Sequence, residues 1–139
     1  MPGLSWVFRQ VGVIPVARSG RDTAATRAAM RALHNGQLLG IFPEGRIEPG
    51  DELLPFQSGV ALMAMKTGVS VYPVYLDGTQ RRLSMLRGFL EAQRAAIAFG
   101  SAVAFNRGND TREGQEAATA AIQHAVEALR KRVHKARRR

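Results

Sequence analysis

Short apolar runs and stretches of helical periodicity alternate along the chain. Val11 to Val16, Leu38 to Phe42, Val69 to Leu76 and Ala95 to Phe99 are near-continuous apolar runs. Each has the length of a strand, and apolarity on successive residues is the pattern of a strand covered on both faces. Between them the period changes. Ala25, Ala29 and Leu33 recur at i, i+4 and i+8, which predicts a helix from Asp22 or Thr23 to about Asn35, stopped by Gly36. Val60, Ala61, Ala64 and Met65 predict a second helix, opened by Gln57 or Ser58 and ended by Gly68, with Met63 and Met65 as core filling. Ala118, Ile122, Ala125, Leu129 and Val133 predict a long third helix behind Asp110-Thr111-Arg112-Glu113, which has the form of a capping box. No segment repeats. The alternation predicts an α/β domain with a largely parallel sheet flanked by helices.

Turn residues interrupt this pattern at points where chemistry can be placed. Pro43 removes a backbone donor and ends strand pairing after Phe42, and Gly45 frees the chain to turn. Glu44 and Arg46 are thereby presented just past the carboxyl end of a predicted strand, where open α/β sheets bind ligands. The same residues also suit a loop ion pair or a solvated turn. Arg18 stands in the equivalent place behind Val11 to Val16, with Pro15 marking a strand end or sheet edge. His34 falls in the last turn of its helix, where a surface cation suits the helix dipole. Trp6 and Phe8 beside Arg9 fit either a short core-packed helix or a lipid interface. Arg81, Arg82 and Arg87 among Leu83, Met85, Leu86 and Phe89 fit a lid, a membrane-facing segment or a surface connection.

Charge narrows the partners. The 139 residues carry a net charge of +9, which favours phosphate esters, anionic lipid surfaces or nucleic acid. The basic residues concentrate in Arg130 to Arg139 without interleaved aromatics, so no specific nucleic-acid partner is expected. The absence of cysteine excludes disulfides, thiol nucleophiles and cysteine-ligated zinc. No apolar run reaches the roughly 18 residues of a membrane span. The start of the sequence lacks the form of a signal peptide, so a peripheral protein on the cytoplasmic side of a membrane is expected. Gly-x-Ser-x-Gly, phosphate-binding glycine loops and metal-ligand spacings are absent.

Four segments together carry a resemblance. Gly12-Val13-Ile14-Pro15-Val16-Ala17-Arg18, Phe42-Pro43-Glu44-Gly45, Pro55-Phe56-Gln57-Ser58-Gly59 and Val71-Tyr72-Pro73-Val74 stand in this order. They resemble the second block, the third block, the segment after it and the fourth block of the glycerolipid acyltransferases, the 1-acylglycerol-3-phosphate O-acyltransferases. The resemblance spans roughly Pro2 to Phe105. It implies a glycerol-3-phosphate acyltransferase-like fold and transfer of an acyl group to lysophosphatidic acid. The acyl donor would be acyl-CoA or acyl carrier protein as co-substrate, with no cofactor. It implies substrate binding by Arg18, Glu44, Gly45 and Arg46, supported by Gly12, Phe42, Pro43 and Pro73. A guanidinium fork matches phosphate oxygens, which suits Arg18 to the acceptor phosphate. Arg46 stands where many relatives have threonine, and Ile47 where an arginine is commoner.

The first block, His-x-x-x-x-Asp, is missing. Five positions after His34, His124 and His134 stand Leu39, Leu129 and Arg139. The expected organisation is therefore an acyltransferase domain lacking its amino-terminal part, residues 1–129, followed by a basic tail, residues 130–139, attracted to an anionic membrane surface. Direct attack by a hydroxyl needs a base, so little catalysis is expected of this chain alone. The alternative is a non-catalytic phosphate- and lipid-binding module of the same fold.

Overall fold

The structure, a computed structural model, describes Gly12, Ile14 and residues 23–45, 53–78, 95–108 and 111–137. The chain divides into two compact units, residues 1–40 and 41–139.

The first unit holds helix α1, Thr23–His34. Its small-residue stripe is the less exposed side: Ala29 is buried and Ala25 and Leu33 half-buried, whereas Arg27, Arg31 and His34 are exposed. Gly36, at a φ of 73°, ends the helix. Its N–H donates to Leu33 O and that of Gln37 to Ala32 O, the paired bonds of a Schellman close. The next expected element does not form. Leu38 to Phe42 has no regular secondary structure, with Leu38 95% and Phe42 79% exposed. A strand needs a neighbour for its backbone groups, and none pairs with this run among the described residues. The expected strand at Val11 to Val16 lies outside the described residues apart from Gly12 and Ile14. So do Trp6, Phe8 and the segment from Arg81 to Phe89.

The second unit contains helix α2, Gly59–Thr67, strands β1, Val74–Asp77, and β2, Ala96–Phe99, and helix α3, Arg112–Arg137. Gly68 closes α2 in the left-handed region at a φ of 72°, its N–H donating to Ala64 O at 2.7 Å. Arg107 donates from Nε and a terminal nitrogen to Thr67 O, placing a cation on the negative end of the helix. The cap of α3 is displaced by one residue from the expected box: Gly114 N–H donates to Thr111 Oγ1 at 3.1 Å. Among the described residues no helix is long and apolar enough to cross a membrane.

The strands β1 and β2 pair antiparallel, with Val74 opposite Phe99, Tyr75 opposite Ala98, Leu76 opposite Ile97 and Asp77 opposite Ala96. An isolated antiparallel bridge joins Val71 to Val103. The expectation of a largely parallel sheet is thus not met among the described residues, which form an α/β mixture with a small antiparallel sheet. Of the four apolar runs, Val11 to Val16 lies outside the described residues apart from Gly12 and Ile14, and Leu38 to Phe42 is unpaired among them.

Helix α3 packs along one face of this sheet and along α2. Ala61 and Met65 of α2 meet Ala118 and Ile122 of α3, with Phe56, Val60, Val71 and Phe105 around them. Further along, Val126 and Leu129 meet Tyr75, with Leu53, Phe56, Ala98 and Val133 around them. The buried stripe of α3 is Ala118, Ile122, Val126 and Leu129, so Val126 replaces the expected Ala125 at its centre. Both Met63 and Met65 are buried, as expected of core filling. The opposite face of the sheet carries Val74, Leu76, Ile97 and Phe99, all exposed.

Candidate functional site

Phe42 to Gly45 forms a hydrogen-bonded β-turn. Gly45 N–H donates to Phe42 O at 3.3 Å, with Pro43 and Glu44 at the two central positions. Proline presets the backbone angle needed at the first of these. Gly45 has a φ of 69°, and a Cβ there would run into the side-chain amide of Gln57. The first residue of the turn, Phe42, points its ring largely into solvent.

Two bonds tie the turn to the segment that returns to α2. Pro43 O accepts from Gln57 N–H at 2.9 Å. Glu44 Oε2 accepts from Leu54 N–H at 3.0 Å. The returning segment is itself anchored: Phe56 N–H donates to Gln123 Oε1 of α3 at 3.2 Å, and the Phe56 ring contacts both core clusters. Phe42-Pro43-Glu44-Gly45 and Pro55-Phe56-Gln57-Ser58-Gly59, ten and more residues apart in sequence, are therefore one structural unit braced on the core. Glu44 is half-buried, and one carboxylate oxygen serves the backbone rather than the solvent.

Pro73 is buried between the Val71–Val103 bridge and β1. Its carbonyl accepts from Gly100 N–H at 2.9 Å. A Cβ at Gly100 would lie 2.8 Å from the Pro73 ring and 3.4 Å from Leu129, so glycine lets β2 approach. Pro73 thus shapes the sheet behind α3. Gly12 is exposed with a φ of 68°. Arg18 and Arg46 lie outside the described residues.

The three histidines have different surroundings. His34 and His124 are exposed. His134 Nε2 shares a hydrogen bond of 3.2 Å with the Tyr75 hydroxyl and lies 3.9 Å from Asp77 Oδ1. Asp77, only 5% exposed, is ion-paired with Arg137. Sequence reasoning placed Arg137 in a basic tail, and it singled out neither Asp77 nor Gln123. Tyr75 and Asp77 alternate onto one face of β1, and His134 and Arg137 are one turn apart on α3. That spacing was the available signal, but nothing in the sequence matches the two pairs to each other.

The turn and the segment it is clamped to both lie within the part of the chain that a family profile matches. The chain belongs to the acyltransferase family, whose profile, described as Acyltransferase, matches residues 1–77. It is 40% identical over 81 residues to a 1-acyl-sn-glycerol-3-phosphate acyltransferase of Borreliella burgdorferi, covering 57% of this chain and 32% of the relative. A chloroplastic 1-acyl-sn-glycerol-3-phosphate acyltransferase of Brassica napus is 32% identical over 81 residues, 57% of this chain and 24% of that protein. A lyso-ornithine lipid O-acyltransferase of Pseudomonas aeruginosa is 32% identical over 77 residues, 55% of this chain and 30% of that protein. The matched part of the chain thus spans about a third or less of these relatives' length. No solved structure matches it.

Proposed function

We propose that this chain carries the acceptor-binding part of an enzyme of phospholipid biosynthesis. The reaction is transfer of an acyl group from acyl-CoA or acyl carrier protein to 1-acylglycerol-3-phosphate, giving phosphatidic acid. The observation that supports it most is the brace of Pro43 and Glu44 on Leu54 and Gln57, which makes two of the family's segments one rigid turn. Rigidity is what an acceptor site needs, because holding the hydroxyl against the thioester is a large part of the barrier. This reading carries with it a largely parallel sheet flanked by helices, of which β1 and β2 are one antiparallel edge.

The choice of acceptor rests on charge. One relative's name carries lyso-ornithine lipid as acceptor and the others 1-acylglycerol-3-phosphate, so kinship alone leaves the acceptor open. Arg18 and Arg46, with a net charge of +9, favour the phosphate ester. Arg18 takes the phosphate, Arg46 is a second contact, and Gly45 lets backbone approach the glycerol. Glu44 orients the turn. The protein works as a peripheral component on the cytoplasmic side of an anionic membrane.

In the reaction the acceptor hydroxyl loses its proton as its oxygen attacks the thioester carbonyl. The oxyanion collapses, and the thiolate leaves and is protonated. A base worth about 10²–10⁴-fold is needed for the first step. The 139 residues hold no His-x-x-x-x-Asp, and one oxygen of the Glu44 carboxylate is already engaged by the Leu54 N–H. The alternative, a non-catalytic module that binds phosphate and lipid, rests on the same absence.

The test is transfer from labelled acyl-CoA or acyl carrier protein to lysophosphatidate. The 139-residue chain gives little or no product, and a chain with a relative's His-x-x-x-x-Asp segment joined ahead of it turns over. Turnover by the 139-residue chain at about 1 s⁻¹ or more, a normal enzyme rate, refutes the assignment of the base. Lysophosphatidate binding unchanged by Arg18→Ala refutes the phosphate role.

A further inference from the structure

The basic run at the end of the chain is a single block in sequence, but the structure divides it in two. Helix α3 continues unbroken to Arg137, and its residues fall on different sides. Arg130 donates to both carboxylate oxygens of Glu127 at 3.2–3.3 Å. His134 meets the Tyr75 hydroxyl, and Arg137 pairs with Asp77. These three hold the helix to itself and to β1. Lys131, Arg132 and Lys135 are exposed and have no partner among the described residues. Lys131 and Lys135 are one turn apart, pointing away from the buried stripe of Ala118, Ile122, Val126 and Leu129. With Arg130, His134 and Glu127 they line a shallow open depression of about 300 Å³.

We propose that this outward face, Lys131, Arg132 and Lys135, docks the protein on an anionic phospholipid bilayer, while Arg130, His134 and Arg137 in the same run serve the fold. The choice of a lipid partner rests on the acyltransferase reading above. Three free cations in two turns complement a surface of phosphate headgroups, and lysine stems reach outward along the helix while keeping the charge in water. The amino-terminal half of α3 presents Glu113 and Glu116 instead, so the contact belongs to the carboxyl-terminal half. Helix α3 contains no Phe, Tyr or Trp to stack nucleobases.

A competing surface exists on the same unit. The exposed sheet face of Val74, Leu76, Ile97 and Phe99 lies on the far side of the sheet from α3, so a flat bilayer engages one surface or the other. Entering hydrocarbon sheet-first would carry strand edges that have no partner among the described residues out of water, which lipid does not tolerate. The basic face needs no such burial.

Sedimentation of the 139-residue chain with vesicles tests this, using phosphatidylcholine alone and phosphatidylcholine mixed with phosphatidylglycerol. Each cation near an anionic surface is worth about fivefold, so Lys131→Gln, Arg132→Gln and Lys135→Gln together weaken partition by about 100-fold. Their thermal melt stays that of the parent. A control with the same loss of charge elsewhere, Arg27→Gln, Arg31→Gln and Arg112→Gln, retains most of the binding. Arg137→Gln lowers the melting temperature while weakening partition several-fold less than the triple substitution. Equal binding to both vesicle types assigns the contact to the apolar sheet face and overturns the proposal. An unaffected triple variant, or a control variant as impaired as it, overturns it too. So does tighter binding of duplex DNA than of anionic vesicles at the same ionic strength, lost in the same triple variant. The readout is partition, so any of these failures leaves the lysophosphatidate reading to be judged by acyl transfer and by binding of the soluble short-chain acceptor.

Discussion

Glu44 is the residue for which the structure makes the sharpest demand. Its Oε2 accepts from the Leu54 N–H at 3.0 Å, in a partly buried setting. Replacing it with alanine strands that donor. A hydrogen bond to a charged acceptor contributes about 1.5–3 kcal/mol net, and partial burial puts this one near the lower end. Because the Pro43–Gln57 bond remains, the loss is local. The Leu54 amide opens more readily, by about tenfold for each 1.4 kcal/mol, while Gln57 changes less. Glutamine at position 44 retains an acceptor oxygen of the same reach and restores most of the protection. Aspartate is one methylene too short and does not. Native-state hydrogen exchange read at Leu54 and Gln57 in the 139-residue chain measures all three variants. Equal exchange at Leu54 in the parent and Glu44→Ala would refute the clamp and return Glu44 to the solvent. Loss in Glu44→Gln as large as in Glu44→Ala would mean that the negative charge, not the hydrogen bond, is what matters.

Two further outcomes follow from packing and backbone. Leu129, 3% exposed and seated between Tyr75 and Val126, costs about 2–5 kcal/mol when cut to alanine; a urea titration showing less than 1 kcal/mol would place it outside the core. Gly45→Ala forces a side chain into the left-handed region and against Gln57, destabilising by about 1–2 kcal/mol in the same titration, whereas an unchanged midpoint would show that the turn relaxes freely.

The helices were legible because their signals are local. The Ala25–Ala29–Leu33 stripe, the Gly36 and Gly68 stops and the apolar period of α3 each act within a turn or two, and the structure places the ends of α1 and α2 and the start of α3 within a residue or two of expectation. Strands depend on partners far away in sequence. Leu38 to Phe42 has the composition of a strand yet pairs with nothing described, whereas Ala96–Phe99 finds β1 and becomes one. Composition reports that a segment prefers burial on a pleated surface and says nothing of whether a neighbour is present. The antiparallel pairing of β2 with β1 was not legible for the same reason. At the candidate site, the identity of the turn could be read from Pro43 and Gly45. Its attachment could not, because the Glu44–Leu54 and Phe56–Gln123 bonds join side chains to backbone groups, and every residue has those.

The outward face of the sheet also governs how the protein can be measured. Val74 stands opposite Phe99 and Leu76 opposite Ile97, giving the folded molecule a two-rung apolar ladder in contact with water. Environment-sensitive dyes report unfolding by lighting up on newly exposed apolar surface, and here such a surface is present before any heat is applied. A dye-based melt therefore starts bright and loses contrast, and can even fall as the ladder disperses. Concentrated samples offer the same ladder to one another, so turbidity and apparent mass rise with concentration. Circular dichroism in dilute solution, which follows the backbone of α1, α2 and α3 rather than the wetting of side chains, is the observable that keeps folding and stickiness apart.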